Sequence, residues 1–344
     1  MTETAKIAKG KMPSRLFSRG FFVVGRQMLK LGFIGTGKVG TALAVLLNRK
    51  GYNVVAVYDH TPKAAERLKA LFDTCQVVDN SQQVADTADL IFITTPDGII
   101  ESVASQIKWT RGKTVIHCSG ADSTAILDKA RQDGATVGVF HPLQTFAGIP
   151  QAIENIPGTT FAIESEEPLL TTLKEIAVSL GGNWIQLKAD DKAAYHAAAV
   201  FASNYLVTLV KMATDLWQTF DIPTDQAINA LLHLMRGTLH NIETLGLPQC
   251  LTGPIARGDI DTVRKHLDEI NNKAPRLLPS YKELGLQTVP IALDKGNIDA
   301  HQAREIEILL KTFSKKVQGE CHENDAKKQN PSGYSDRRQH QLRR

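Results

Sequence analysis

"LKLGFIGTGKVGTALAVLLNRKGYNVVAVYDH", residues 29–60, decides the fold. "KLGFI" is a short apolar run, long enough for one strand. A glycine-rich turn follows, with Gly35, Gly37 and Gly40 spaced GxGxxG. "KVGTALAVLLNRKG" has helical periodicity and stops at Gly51, a residue suited to a helix C-terminus. "NVVAVYD" is a β-branched run that reads as a second strand. Strand, glycine turn, helix and strand make a βαβ unit. The GxGxxG spacing alone is a weak signal. Placed after a strand, at the start of a helix and before an acid that ends the next strand (Asp59), it is a strong one for dinucleotide binding. Gly35 permits the tight turn, Gly37 leaves room for a pyrophosphate, and Gly40 lets the helix pack on the strand. Thr36, Lys38 and Val39 complete the cofactor turn, and the helix N-terminus favours the phosphate charge.

The alternation continues downstream. "KAAERLKALFD", "GIIESVASQI" and "STAILDKARQDG" read as helices. "CQVV", "ADLIFITTP", "KTVIHCSG", "ATVGVFHP" and "TTFAIES" read as strands. "EEPLLTTLKEIAVSLGG" and "NWIQLK" supply a last helix and strand. The expected class is α/β: a doubly wound, parallel Rossmann sheet over residues 29–188, followed by an all-helical domain over residues 189–314. The helical part comprises five stretches, the first being "DDKAAYHAAAVFASNYLVTLVKMATDLWQTF" as one long helix and the second opening at Thr224 as N-cap.

The chain has 344 residues and a net charge of +4, with the basic excess gathered at both ends. Residues 1–28 read as a disordered extension and residues 315–344 as a disordered basic tail. Met28 stands where a folded domain would begin, so an early-starting reading frame accounts for the front better than an organelle presequence does. Basic tails are more often solvated ends than nucleic-acid arms, and no basic stripe with interleaved aromatics occurs between them. The four cysteines, at 75, 118, 250 and 321, form no CxxC pair, and no histidine pair has metal-ligand spacing. A reduced, cytoplasmic protein with no metal is expected. No apolar run is read as reaching transmembrane length, so neither membrane nor nucleic acid is expected as a partner.

Further candidates cluster at the carboxyl ends of strands, where open α/β sheets bind ligands. Asp59 can accept hydrogen bonds from ribose hydroxyls, which suits NAD. His60, Thr61 and Lys63 follow at once and can hold a 2′-phosphate, which suits NADP; both cofactors stay open. Thr95, Pro96 and Asp97 end one strand and Ser119 ends the next, lining the far ribose and nicotinamide. His141 ends another strand ahead of Pro142, facing the same crevice. In "ADDKAAYHAAAVFASN", Lys192 and His196 lie one turn apart on one helix face. Ser203 joins that face and Asn204 flanks it. The alanines let a flat ring approach, and the lysine and histidine can donate to a carbonyl oxygen gaining charge or supply its proton. In "LTGPIARGD", Arg257 and Thr252 can anchor an anionic substrate, while Asp259 can cap the next helix.

This combination resembles the 6-phosphogluconate dehydrogenase-like superfamily, which includes β-hydroxyacid dehydrogenases, ketopantoate reductases and pyrroline-5-carboxylate reductases. Many members carry a lysine followed four residues later by asparagine; here the second position is His196. "HPLQTF", "KAAYHAAAVFASNYL" and "TGPIARGD" together resemble, more narrowly, the Rossmann-like NADP oxidoreductases with a C-terminal domain of unknown function. The resemblance spans residues 29–314 and neither tail. It implies an NAD(P)-dependent oxidoreductase that moves hydride to or from a small carbonyl or hydroxy-acid substrate, with ketopantoate-like 2-oxo acids first, in a cleft between the domains. It implies a homodimer and favours NADP, whereas Asp59 favours NAD. The competing class is a sensor that binds NAD(P) without turnover.

Overall fold

The computed structural model describes residues 29–72 and 75–314; both predicted terminal tails lie outside the described residues. The order of elements begins β1 (Lys30–Ile34), α1 (Lys38–Arg49), β2 (Asn53–Tyr58), α2 (Pro62–Lys69), β3 (Gln76–Val77), α3 (Ser81–Thr87), β4 (Leu90–Ile93) and α4 (Asp97–Gln106). It continues β5 (Thr114–His117), α5 (Asp128–Gln132), β6 (Thr136–Pro142), α6 (Ile149–Asn155), β7 (Thr160–Glu164), α7 (Leu169–Ser179) and β8 (Asn183–Gln186). The helices α8 (Lys192–Ala202), α9 (Asn204–Gln218), α10 (Thr224–Leu245), α11 (Ile260–Lys273), α12 (Leu278–Lys295) and α13 (Ala300–Thr312) complete the chain.

The eight strands form one sheet in the order β3-β2-β1-β4-β5-β6-β7-β8. The α/β class and the Rossmann arrangement are as the sequence implies. All neighbours run parallel except β6 and β7, which pair antiparallel. The central strands are apolar on both faces because helices cover both, as parallel sheets require. On one face Phe33 stacks on Phe92 with centroids 4.7 Å apart, and Phe140 stacks on Phe161 at 4.4 Å. Phe92 meets Phe140 edge-on at 6.4 Å, so the aromatics tie four strands together. Pairs of this kind add about 0.5–1.5 kcal/mol each beyond the area they bury. Leu43 and Leu47 of α1 and Leu173 and Ile176 of α7 close that layer. Ile34, Ile91, Ile93 and Val115 look the other way, onto Val84 of α3 and Ile100 of α4.

The chain divides into two compact units at Val207 and Thr208, inside α9, so α8 belongs with the sheet. The second unit is built of helices and has no strand among its described residues. Val263 and Leu267 of α11, Val289 of α12, and Ile306 and Leu310 of α13 form its core. Asp215 is held by Lys211 and by Arg276, the latter at 2.7 Å.

Three expectations need correction. The long helix predicted from residue 189 breaks at Ser203, where the backbone leaves helical geometry at φ −122° and ψ −65°. Helix α10 starts at Thr224, but Pro223 occupies the cap position, and Thr224 Oγ1 instead accepts from Gln218 Nε2 at 2.7 Å. The helical stretch Ala189–Gln218 contains an 18-residue window of mean hydropathy 1.3 and is long and apolar enough to cross a membrane by length and composition. It escaped the sequence reading because Asp190, Asp191, Lys192, Lys211 and Asp215 bracket it, yet residues 193–210 contain no Asp, Glu, Lys or Arg. None of residues 193–210 is buried within the chain: Phe201, Tyr205, Val207 and Leu209 are exposed.

Candidate functional site

Strand β1 stops where Gly35 takes φ +94°, a conformation that glycine adopts without strain. Its N–H donates to Tyr58 O at 2.8 Å, and its carbonyl accepts from Thr94 Oγ1 at 2.6 Å. The turn is thus pinned to the ends of both β2 and β4. Strand order reverses between β1 and β4, the position where a doubly wound sheet opens a crevice. A Cβ on Gly40 would lie 2.3 Å from Gly35 O and 2.4 Å from Thr94 Oγ1, so only glycine lets α1 come this close. A Cβ on Gly37 would meet nothing within 4 Å. No side chain caps α1 and no acid stands in its first turn, so its leading N–H groups face that open ground. Thr95 Oγ1, just past β4, is buried without a partner among the described residues. An uncapped helix start, a glycine facing free space and an orphaned hydroxyl at the switch point fit a dinucleotide. Lys38 is exposed and Val39 half-buried at the same turn.

Asp59 is committed inside the chain. Its Oδ2 accepts from Thr36 N at 2.6 Å and Thr36 Oγ1 at 3.0 Å, and its Oδ1 accepts from Thr61 N at 2.8 Å. Burial works against its charge, but these hydrogen bonds and the neighbouring His60 hold the carboxyl below its usual range. Thr36 is itself buried, so its hydroxyl serves this bond. His60, Thr61 and Lys63 are exposed at the end of β2.

The second part of the site lies along β5, β6 and α8, all within the first unit. Lys192 is 1% exposed, and its Nζ donates to Ser119 O at 2.9 Å. Burial lowers its ammonium pKa to about 8, with Glu164, Cys118, Asp122 and Asp97 pulling the other way. The side chain thereby ties α8 to the loop that follows β5. Ser119 is also buried. Its hydroxyl lies 3.0 Å from Asp97 Oδ2 and 2.9 Å from Asp122 Oδ2, and accepts from Asp122 N at 3.1 Å. With one proton for two carboxylates, that hydroxyl holds the loops together. Pro96 occupies the cap position of α4, which Asp97 begins.

His141 and His196 do meet, with ring centroids 6.3 Å apart and planes at 81°. A Cβ on Gly120 would lie 2.5 Å from His196 Nδ1 and 2.9 Å from His141 Nε2, so both nitrogens close on one backbone carbon. His196 Nδ1 is buried and has no partner among the described residues. Ser203 turns back on its own helix, donating to Ala199 O at 2.8 Å, with Asn204 Oδ1 also within 3.0 Å. Arg257 ends a short 3-10 turn in the second unit, five residues after Thr252 in sequence. Asp259 does cap α11, accepting from Thr262 N at 3.0 Å. Among the described residues no three His, Cys, Asp or Glu side chains gather to hold a metal.

Three residues absent from the sequence reading belong here. His117 ends β5 and His141 stands one residue before the end of β6, the signal that could have found it. It accepts from Ser119 N at Nδ1 (3.2 Å), so its Nε2–H donates to Ser123 O at 3.1 Å. Tyr195 places its hydroxyl 2.8 Å from His141 Nδ1. Glu164, 8% exposed, accepts twice from Thr124 through Oε1, while Oε2 has no partner among the described residues. No local pattern marks either.

Burial holds His117 down to about 4 and His141 down to about 3, with the Lys192 charge adding to both. The unfolded chain takes up these protons near pH 6.5, and the folded chain refuses them until well below. The stability these neutral rings contribute is therefore full above pH 6.5 and is lost as pH falls. Between pH 6.5 and 5 each histidine contributes a slope of at most about 1.4 kcal/mol per pH unit. The urea midpoint should fall across that window, and His117→Asn should flatten the fall; an equal slope in the variant would contradict the burial argument.

Residues 22–142 match the Rossmann-like domain family, and residues 159–288 match a domain of unknown function, DUF2520. The chain is 26% identical over 155 residues to glycerol-3-phosphate dehydrogenase [NAD(P)+] of Clostridium botulinum, covering 40% of this chain and 46% of that one. It is 29% identical over 166 residues to 2-hydroxy-3-oxopropionate reductase of Escherichia coli, covering 45% and 56%. The chain thus spans about half the length of these curated relatives. Among solved structures, a protein from Thermotoga maritima is similar at TM-score 0.63 and 24% identity, over 77% of this chain and 99% of that one. A reductive aminase from Aspergillus terreus, solved with NADPH and ethyl levulinate, is similar at TM-score 0.57 and 17% identity, over 84% and 100%. At these identities the structural likenesses speak for the fold.

Proposed function

We propose, for a chain that joins a Rossmann-like domain to a DUF2520 domain, that it is an NAD(P)-dependent oxidoreductase acting on a small carbonyl or hydroxy-acid substrate. The observation that carries this reading is the conjunction within one unit of the open Gly37 turn and the Lys192–His196 face of α8, which reaches the end of β5 through Ser119 O. A bound nicotinamide supplies or takes up the hydride. The chain's own residues do the rest. The α1 N-terminus and the glycine turn hold the pyrophosphate, and Thr95 and Asp97 line the path beyond it. Lys192 sets the Ser119–Gly120 loop and places positive charge behind it. His141 and His196 present ring nitrogens beside Gly120, where a donor to the substrate oxygen stabilises charge that grows during reduction. Arg257 and Thr252 enter as anchors for a substrate carboxylate on the strength of their sequence motif alone.

For the cofactor we favour NADP. Asp59 already accepts three hydrogen bonds from Thr36 and Thr61, and the exposed His60 and Lys63 suit a 2′-phosphate. The curated Clostridium relative carries both cofactors in its name. Ketopantoate-like 2-oxo acids remain the first substrates to try. The exposed apolar residues of α8–α10, among them Phe201, Val207, Leu234, Leu239 and Leu245, support a homodimer. The free cysteines Cys75, Cys118 and Cys250 suit a cytoplasmic setting, and neither nucleic acid nor membrane is proposed as a partner.

One observation favours a second reading. Lys192 is buried and already bonded, which suits a sensor that binds the dinucleotide without turnover. Oxidation of NADPH and NADH against a panel of 2-oxo acids and imines, and reduction of NADP+ and NAD+ against hydroxy acids, both followed at 340 nm, separate the two. Turnover with any member supports the enzyme; tight binding with no turnover across the panel supports the sensor.

A further inference from the structure

We propose that Tyr195 is a positioning residue that fixes the tautomer of His141, keeping its proton on Nε2 so that the ring presents a donor to the substrate oxygen. The use made of that donor rests on the functional reading above; the tautomer itself does not.

The geometry leaves little choice. The Tyr195 hydroxyl lies 2.8 Å from His141 Nδ1, and that is its only hydrogen bond among the described residues. A neutral imidazole donates through one nitrogen and accepts through the other. If Nδ1 carried the proton, the tyrosine oxygen would accept it and its own proton would lack a described partner. Nε2 would then be a bare acceptor beside Gly120 and His196 Nδ1, the latter itself buried without a partner among the described residues. With the proton on Nε2, the phenol donates to Nδ1 and the N–H faces Gly120 and His196. The rings of Tyr195 and His141 stand edge-on at 88°, with centroids 5.6 Å apart, which places the hydroxyl at the nitrogen rather than over the face.

Charge does not disturb this arrangement near neutrality. Burial, reinforced by Lys192, His196 and His117, keeps the His141 ring neutral down to about pH 3. Burial pushes the Tyr195 hydroxyl up to about 12. Between those limits the tautomer is the only freedom left to the pair, and Tyr195 removes it. His117, at the end of the neighbouring strand, has its tautomer fixed in the same sense by Ser119 N.

Ring nitrogen shifts from long-range 1H–15N correlation of the intact, 15N-labelled protein at pH 7 test the assignment. His141 should show a protonated Nε2 and an accepting Nδ1. Tyr195→Phe should move both shifts toward the average of the two tautomers. It should also lower kcat about tenfold, with KM for NADPH unchanged. Should that variant fold poorly, 3-fluorotyrosine at position 195 keeps the shape, strengthens the donor and should move Nδ1 further from its free value. A protonated Nδ1 in the wild type would overturn the proposal, as would ring shifts untouched by both substitutions. These shifts are read without turnover. An inactive protein with the expected tautomer would count against the hydride reading alone.

Discussion

Gly37→Ala should fold as the wild type does and lose dinucleotide binding by about 10²-fold or more, equivalent to about 2.7 kcal/mol. The argument rests on where the new methyl would go. Gly37 has φ −69° and ψ −161°, which alanine adopts freely, and its Cβ would meet no protein atom within 4 Å. The fold therefore has no reason to object. That same open ground lies before the uncapped N-terminus of α1, where a pyrophosphate approaches backbone N–H groups at close range. Gly35 and Gly40 would make poorer tests: Gly35 needs its positive φ, and Gly40 would meet backbone at 2.3 Å, so alanine there damages the turn itself. The measurement is NADPH affinity by fluorescence titration, beside thermal unfolding of both proteins. Equal affinity in Gly37→Ala would show that no phosphate is cradled at this turn.

Lys192→Ala should lower the rate of hydride transfer by about 10²-fold or more while cofactor affinity stays within about twofold. The ammonium is buried and set against Ser119 O, so its removal takes away the charge behind the Gly120 loop and the tie that holds it. Leaving a buried carbonyl without a donor costs about 1–3 kcal/mol of stability, which thermal unfolding will register. Lys192→Met keeps most of the packing and separates the two effects. It leaves the Ser119 carbonyl equally unpaired, so it should recover the packing part of the stability loss and none of the rate. Equal turnover in wild type and Lys192→Ala would remove the lysine from the account.

Much of this was legible along the chain because it depends on local spacing. The glycine turn, its flanking strands and the acid at Asp59 sit within one βαβ unit, where period and turn chemistry speak directly. Lys192 and His196 share a face by helical geometry alone. What stayed hidden depends on partners far away in sequence. Lys192 bonds a carbonyl 73 residues earlier, and Tyr195 bonds a histidine 54 residues earlier. Helices α3 and α6 have seven residues each, too few to show a period. The reversed direction of β7 is invisible in "TTFAIES", since a strand's own pattern does not record which way its neighbour runs. The break at Ser203 is set by one residue whose hydroxyl folds back to Ala199 O, inside a stretch whose composition is helical throughout.

The central claim is that the open turn at the β1–β4 switch point takes a nicotinamide dinucleotide. Titration of the purified protein with NADPH and with NADH, followed by nicotinamide fluorescence, tests it most directly. The expected result is saturable binding with NADPH the tighter, because Asp59 is already engaged by Thr36 and Thr61. NADH the tighter would overturn the cofactor preference and leave the fold reading intact. Binding of neither would contradict the account: the glycine turn would then serve packing alone, and the oxidoreductase reading would fall with it.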